Sequence, residues 1–257
     1  MGLTQEQKNS IQEVIKTSLR KKFQHYKPES SNMPFHFRLL GKDRMALYSF
    51  IQSLNTTFGT SIFEPVAVAL AKNCFNRAET QFVVGTTISD ECQRSIQQII
   101  NELTTGTSPN KSRELSLLRN SATSGKLNKL KTVKADLFLE SKEGEIFLFD
   151  LKTAKPNISN FKDFKRTLLE WAGIILTQNP KTKINTLIAI PYNPYEPKPY
   201  ERWTLKGMLD LENELKVAEE FWDFLGGKGV YEDLLDCFEI VGLELRDEID
   251  KYFSKFK

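Results

Sequence analysis

The sequence predicts an α/β fold, a short mixed sheet flanked by helices. Three observations carry this reading. Apolar residues recur at helical spacing through residues 5–24, 42–54 and 161–178. Two short apolar runs, "KADLFLE" (134–140) and "IFLFDLK" (146–152), sit on either side of the polar, Gly-containing turn "SKEGE" and read as a hairpin. A third run, "INTLIAIPYNPY" (184–195), reads as a strand ended by prolines. Helices, a hairpin, a helix, a strand and helices again make a layered α/β order.

The elements follow from the N-terminus. Ile11, Val14, Ile15 and Leu19 place one apolar face on a first helix, and "QHYKPESSNMPFHF" breaks it as a loop. A second helix over 42–54 turns Met45, Leu47, Phe50, Ile51 and Leu54 inward, and "NTTFGTS" is a turn. "SIFEPVAVALAKNCF" is a strongly apolar helix with Glu64 near its start. Residues 89–103 form a helix capped by Ser89 or Asp90. "TTGTSPNKS" and "RNSATSGKLNK" are polar and turn-rich. "ENELKVAEEFWDFL" and "VYEDLLDCFEIVGLELRDEIDKYFSKF" close the chain as helices. One domain over 1–257 is expected, with a helical part to about 105, a basic segment 106–134 and a core over about 134–195.

Composition excludes several classes. No segment reaches the apolar length of a membrane span, and the first residues lack the apolar run of a secretory signal. Cys74, Cys92 and Cys237 are far apart, which argues against a disulfide framework or a zinc knuckle and favours a reducing cytoplasm. His25 and His36 are the only histidines, so Ser-His-Asp and Cys-His catalysis have little to draw on. No Gly-rich phosphate loop appears, and "FLGGKG" reads as a helix stop. The formal net charge is +3, but its distribution is uneven. Between residues 106 and 134, Lys111, Arg113, Arg119, Lys126, Lys129, Lys131 and Lys134 face only Glu114, the pattern of contact with a polyanion or of a solvated loop.

Chemistry gathers at the hairpin. Side chains alternate along a strand, so Asp150 and Lys152 share a face and Leu151 points to the other layer. Across the turn, Asp136 can sit near the same end. Two close carboxylates repel unless a cation lies between them, and Mg²⁺ prefers carboxylate and water oxygens. Asp136, Asp150 and Lys152 therefore read as a phosphodiester-hydrolysis site, with Glu64 as a third acidic ligand from the upstream helix. The bland reading is an ion-paired hairpin rim.

The spacing of Asp136 and Asp150-Leu151-Lys152 resembles the PD-(D/E)xK nuclease core, with Ala135 in place of the proline. A longer likeness runs from about residue 33 to about residue 225. The blocks "MPFHFRLLGKDRMALYSFIQSLNTTFGTSIFEPVA", "FLFDLKTAKPN", "KRTLLEWAG", "IPYNPY" and "EFWDFL" together resemble the TdeIII-type family of type II restriction endonucleases. That resemblance implies a restriction-endonuclease-like core and a Mg²⁺-dependent endonuclease. It also implies a homodimer that cuts double-stranded DNA at a short palindrome of the GGNCC kind. It maps metal ligands onto Asp136, Asp150 and Glu64, and the catalytic lysine onto Lys152. Lys155, Asn157, Lys162, Lys165 and Arg166, just past the active strand, are candidates for reading guanines, and Lys126, Lys129 and Lys131 for meeting phosphates. Glu170 and Trp171 read as structural. The alternatives are a repair or junction nuclease with the same core, and a DNA-binding module that does not cut.

Overall fold

The computed structural model describes residues 2–28, 33–152, 161–201 and 207–255. The chain divides into two compact units, one over Met1–Leu70 with Gly226–Lys257 and one over Ala71–Leu225.

The first unit is helical. Helix α1 (Gln5–His25) opens on a reciprocal capping box between Thr4 and Gln7, and its apolar stripe buries Ile11 and Ile15. Helices α2 (Pro34–Leu40) and α3 (Lys42–Thr57) follow, then a π-helical turn over Phe58–Phe63 and α4 (Glu64–Ala71). Residues expected as loop in "PFHF" and as turn in "NTTFGTS" are therefore helical. Pro34 at the first helical position of α2 costs nothing, because that N–H has no partner within a helix. Met45 and Phe50 point inward as expected, whereas Leu47 and Ile51 are exposed. From the far end of the chain, α10 (Val230–Glu244) packs on α1, and α11 (Arg246–Ser254) packs on α3.

The second unit holds the sheet, whose strands run in the order β1 (Arg77–Ser89), β2 (Leu127–Glu140), β3 (Ile146–Leu151), β4 (Ile184–Ile190) and β5 (Leu215–Val217). The first three strands are antiparallel neighbours, and β3, β4 and β5 run parallel. The predicted mixed sheet flanked by helices is what forms. Three strands depart from the sequence reading. Strand β1 was not expected, β2 begins seven residues before the predicted Lys134, and β5 interrupts a segment read as helix. Helix α6 (Lys111–Ser121) joins the two polar stretches read as turns and takes in the ends of both. Its signal was present, since Asn110 caps it through the Arg113 N–H at 2.8 Å and Glu114 reaches back to the Asn110 N–H.

Helix α7 (Phe161–Gln178) makes the crossover between β3 and β4, as parallel strands require. It buries Leu168, Leu169, Trp171, Ala172 and Ile174 against Leu148, Phe138 and Ile188 of the sheet and against α5 (Asp90–Thr104). Phe147 and Phe149 point to the opposite face, where Phe149 meets Phe221 of α9 (Glu219–Gly226) at 5.5 Å between ring centroids. The short α8 (Leu211–Glu214) leads into β5. Ser89 caps α5 by accepting the Cys92 N–H at 3.0 Å while donating to the Ser121 carbonyl at 3.0 Å. Ser89→Ala loses both bonds in a buried setting, and urea unfolding should register a loss of about 1–2 kcal/mol.

Candidate active site

The site grows out of the register of the hairpin. Leu137 pairs with Phe149, so one step further Asp136 and Asp150 face each other across β2 and β3. Asp150 and Lys152 alternate with Leu151 and share a side of the strand, and Lys152 Nζ lies 2.6 Å from Asp150 Oδ1. Asp136 Oδ2 accepts the Leu151 N–H at 2.9 Å, which ties the carboxylate of one strand to the backbone of the next. On the other side, Gln81 Nε2 of β1 donates to Asp136 Oδ1 at 3.4 Å. The ammonium of Lys152 also lies 4.8 Å from the centre of the Phe164 ring on α7, within cation–π reach. The Lys152 backbone N–H is fixed by the Ala189 carbonyl of β4 at 2.9 Å. Four strands and one helix thus fix three side chains.

The electrostatics explain why such a cluster is unstable by itself. Asp150 is 6% exposed. Burial pushes its carboxyl up to about 6, Lys152 opposes the rise, and the neighbouring Asp136 adds to it. Above that pH Asp150 is ionised, facing Asp136 and in contact with Lys152. The donors are hard carboxylate oxygens with lone pairs to spare, the set that suits Mg²⁺ and not a soft metal. Asp136 and Asp150 are the residues that fit such a cation. Among the described residues of the strand unit, no third carboxylate, histidine or cysteine joins them in a metal-sized cluster.

The raised carboxyl has a measurable consequence. The folded state holds a proton on Asp150 where the unfolded chain, with an ordinary carboxyl near 3.8, has released it. Stability contributed by this group is present below pH 4 and is lost as pH rises to 6, about 3 kcal/mol across the window. In urea unfolding with EDTA, the stability of the wild type relative to Asp150→Asn should fall by that amount between pH 4 and pH 6.5, because the other carboxylates titrate alike in both.

The other predicted residues divide. Glu64 is buried at the first position of α4, in the helical unit. Lys126, Lys129 and Lys131 are exposed, at the start of β2 and along its outer half, so the basic segment is part helix and part strand. Lys162 is exposed at the start of α7, and Arg166 donates to Gln97 Oε1 at 2.8 Å. Lys155 and Asn157 lie outside the described residues.

Lys165 is corrected. Its side chain is fully buried, with Nζ 2.5 Å from Glu114 Oε2 and 2.6 Å from Glu214 Oε2, so it cannot reach a base edge. Lys111, also read as part of the basic segment, is buried in the same network, 3.0 Å from Glu214 Oε1. Sequence reasoning missed Gln81 and Phe164. Phe164 shares a helical face with apolar neighbours, so nothing in its spacing separates it from core. Gln81 gave no signal, because it belongs to the strand that was not expected.

Comparison with known proteins shows the family. The sequence profile described as "Type II restriction endonuclease, HinfI" matches residues 3–242. Three type II restriction enzymes of Herpetosiphon aurantiacus are similar over most of their length. HgiCII is 27% identical over 223 residues, covering 85% of this chain and 80% of the relative. HgiEI and HgiBI are each 26% identical over 221 residues, covering 84% of this chain and 79% of the relative. A match over nearly the whole chain, together with a mixed sheet that brings two aspartates and a lysine together, places it: the chain belongs to the HinfI family of type II restriction endonucleases, enzymes of site-specific DNA cleavage.

Proposed function

We propose that the protein hydrolyses phosphodiester bonds of double-stranded DNA at a short palindrome, with Mg²⁺ held by Asp136 and Asp150 and with Lys152 at the scissile phosphate. The observation that supports this is the convergence of those three side chains at the end of β3. Mg²⁺, when bound, polarises a phosphoryl oxygen and acidifies a bound water. The chain's own residues do the rest. Asp136, anchored by the Leu151 N–H, and Asp150, on a fully buried stretch of strand, hold fixed donor positions. Lys152 carries its positive charge on a rigid strand end, oriented by Asp150 and Phe164, where it stabilises charge that develops on the phosphate.

Glu64 is proposed as a further acidic ligand. Lys126, Lys129, Lys131, Lys155, Asn157, Lys162 and Arg166 are proposed DNA contacts, the lysines chiefly to phosphates. A palindrome presents one cut per strand, so the working enzyme is proposed as a homodimer, acting in the cytoplasm. The blocks resembling the TdeIII-type family support a GGNCC-like site. No described helix is long and apolar enough to cross a membrane.

A direct test uses a labelled duplex carrying GGNCC and a scrambled control, with binding read as a mobility shift. Calcium should support a retarded complex on the specific duplex only, with a sedimentation mass of two chains per duplex, and EDTA should abolish it. Equal retardation of both duplexes would remove the sequence assignment, and a one-chain complex would remove the dimer.

A further inference from the structure

We propose that Gln81 is a positioning residue for Asp136. This rests on Asp136 being the acidic ligand proposed above. Two independent observations carry it. The first is backbone strain. Gln81 has φ +51°, in the left-handed region that favours glycine, although it is neither glycine nor asparagine. Among the described residues only Ala218 shares that condition without being glycine. The strain falls at one rung of the sheet. Thr80 pairs with Leu137 and Phe82 with Ala135, but the rung between them, Gln81 opposite Asp136, is missing from the ladder. Strain of this kind persists where the surrounding structure enforces it, and it clusters at functional sites.

The second observation is what the strained residue reaches. Its amide nitrogen donates to Asp136 Oδ1 at 3.4 Å, while Oδ2 accepts the Leu151 N–H at 2.9 Å. The two donors come from opposite sides, β1 and β3, and grip one carboxylate. Either bond alone leaves the carboxyl free to rotate about its own axis. Together they set the plane of the carboxyl, and so the direction of the lone pairs that remain toward Asp150. An unstrained strand residue would point its side chain squarely to one face of the sheet and keep the rung. At Gln81 the backbone turns left-handed and the rung is lost, yet its side chain still meets Asp136, its cross-strand neighbour. Partners that orient ligating carboxylates in this way typically carry about 10–100-fold in metal affinity or activity.

Glycine adopts φ +51° without strain, so Gln81→Gly keeps the backbone conformation and deletes the grip, whereas Gln81→Ala deletes the grip and keeps the strain. Both variants and the wild type are compared in three readouts: thermal midpoint in EDTA, calcium affinity by calorimetry, and Mg²⁺-dependent cleavage of plasmid DNA. The expected result is a thermal midpoint for Gln81→Gly within about 3 °C of wild type. Calcium affinity and kcat should fall about 10–100-fold in both variants, with KM for DNA little changed. Gln81→Gly with wild-type calcium affinity and kcat would overturn the proposal and leave Gln81 as a turn residue. A Gln81→Gly variant that fails to fold would also overturn it, because the residue would then be structural. Wild-type protein that binds calcium but does not cut removes the reaction proposed above, and the calcium titrations still decide the role of Gln81. Wild-type protein that binds no calcium overturns both.

Discussion

Lys165→Met should destabilise the protein by about 3–5 kcal/mol in urea unfolding, the largest loss expected from any single surface-like residue of the sequence. The reason lies in a closed charge network. Lys165 on α7 meets Glu114 of α6 and Glu214 of α8, and Lys111 of α6 meets Glu214 and the Thr186 carbonyl of β4. All four charged side chains are buried, and two ammonium groups balance two carboxylates. Methionine matches the lysine stem in volume but leaves Glu114 without its ion-pair partner. Glu114 already sits above the ordinary carboxylate range because burial raises it, with Lys165 opposing that rise. In the variant the opposition is gone, so Glu114 takes up a proton on folding. The deficit should therefore be smaller at pH 5 than at pH 8. Lys162→Met, on an exposed position of the same helix, should change stability by no more than about 0.5 kcal/mol. Equal effects of the two substitutions would show that the buried network contributes nothing to folding. The network also holds the first turn of α7, where Phe164 meets the Lys152 ammonium.

Lys152→Ala should lower kcat by about 10²–10³-fold or more while the protein stays folded. Its side chain is partly exposed, so truncation opens no core cavity. Asp150 loses the ammonium that holds its carboxyl down, and its proton affinity rises further above 6. Divalent cations compete with Lys152 for the same oxygen, so calcium binding at pH 8 should survive. The loss should thus appear in turnover and not in calcium-supported DNA binding. Lys152→Arg keeps the charge but replaces a compact ammonium with a planar fork, and it should not restore the wild-type rate. Wild-type turnover in either variant would take Lys152 out of the reaction.

Much of the centre was legible before the structure, for a physical reason. β3 is a short apolar run joined to its partner by a polar turn, so strand geometry was enough to expect Asp136 near the same end as Asp150, and the register sets them opposite each other. Helix α5 was legible because Ser89 is a strong cap before a strongly apolar face. The rest depended on contacts that spacing does not carry. β1 is interrupted by the left-handed Gln81 and by register shifts near Gly85, so neither alternation nor an apolar run announces it. β5 is three residues long and is defined by its pairing with β4. Lys165 looked like a surface charge because a lysine in an amphipathic helix usually is one. Its burial depends on Glu114 and Glu214, which are far away in the chain. Glu64 was read as opening a helix, and it does, but it belongs to the helical unit, and its proposed role rests on the resemblance and not on geometry.

Asp136, Asp150 and Lys152 are proposed as the centre of a metal-dependent, sequence-specific nuclease. The most direct measurement is digestion of a sequenced plasmid by purified protein with Mg²⁺, with EDTA, and with Asp150→Asn in Mg²⁺. Discrete fragments from wild type in Mg²⁺ alone, with every end mapping to one short palindrome, are the predicted result. Discrete fragments from Asp150→Asn at the wild-type rate, or from wild type in EDTA, would contradict it.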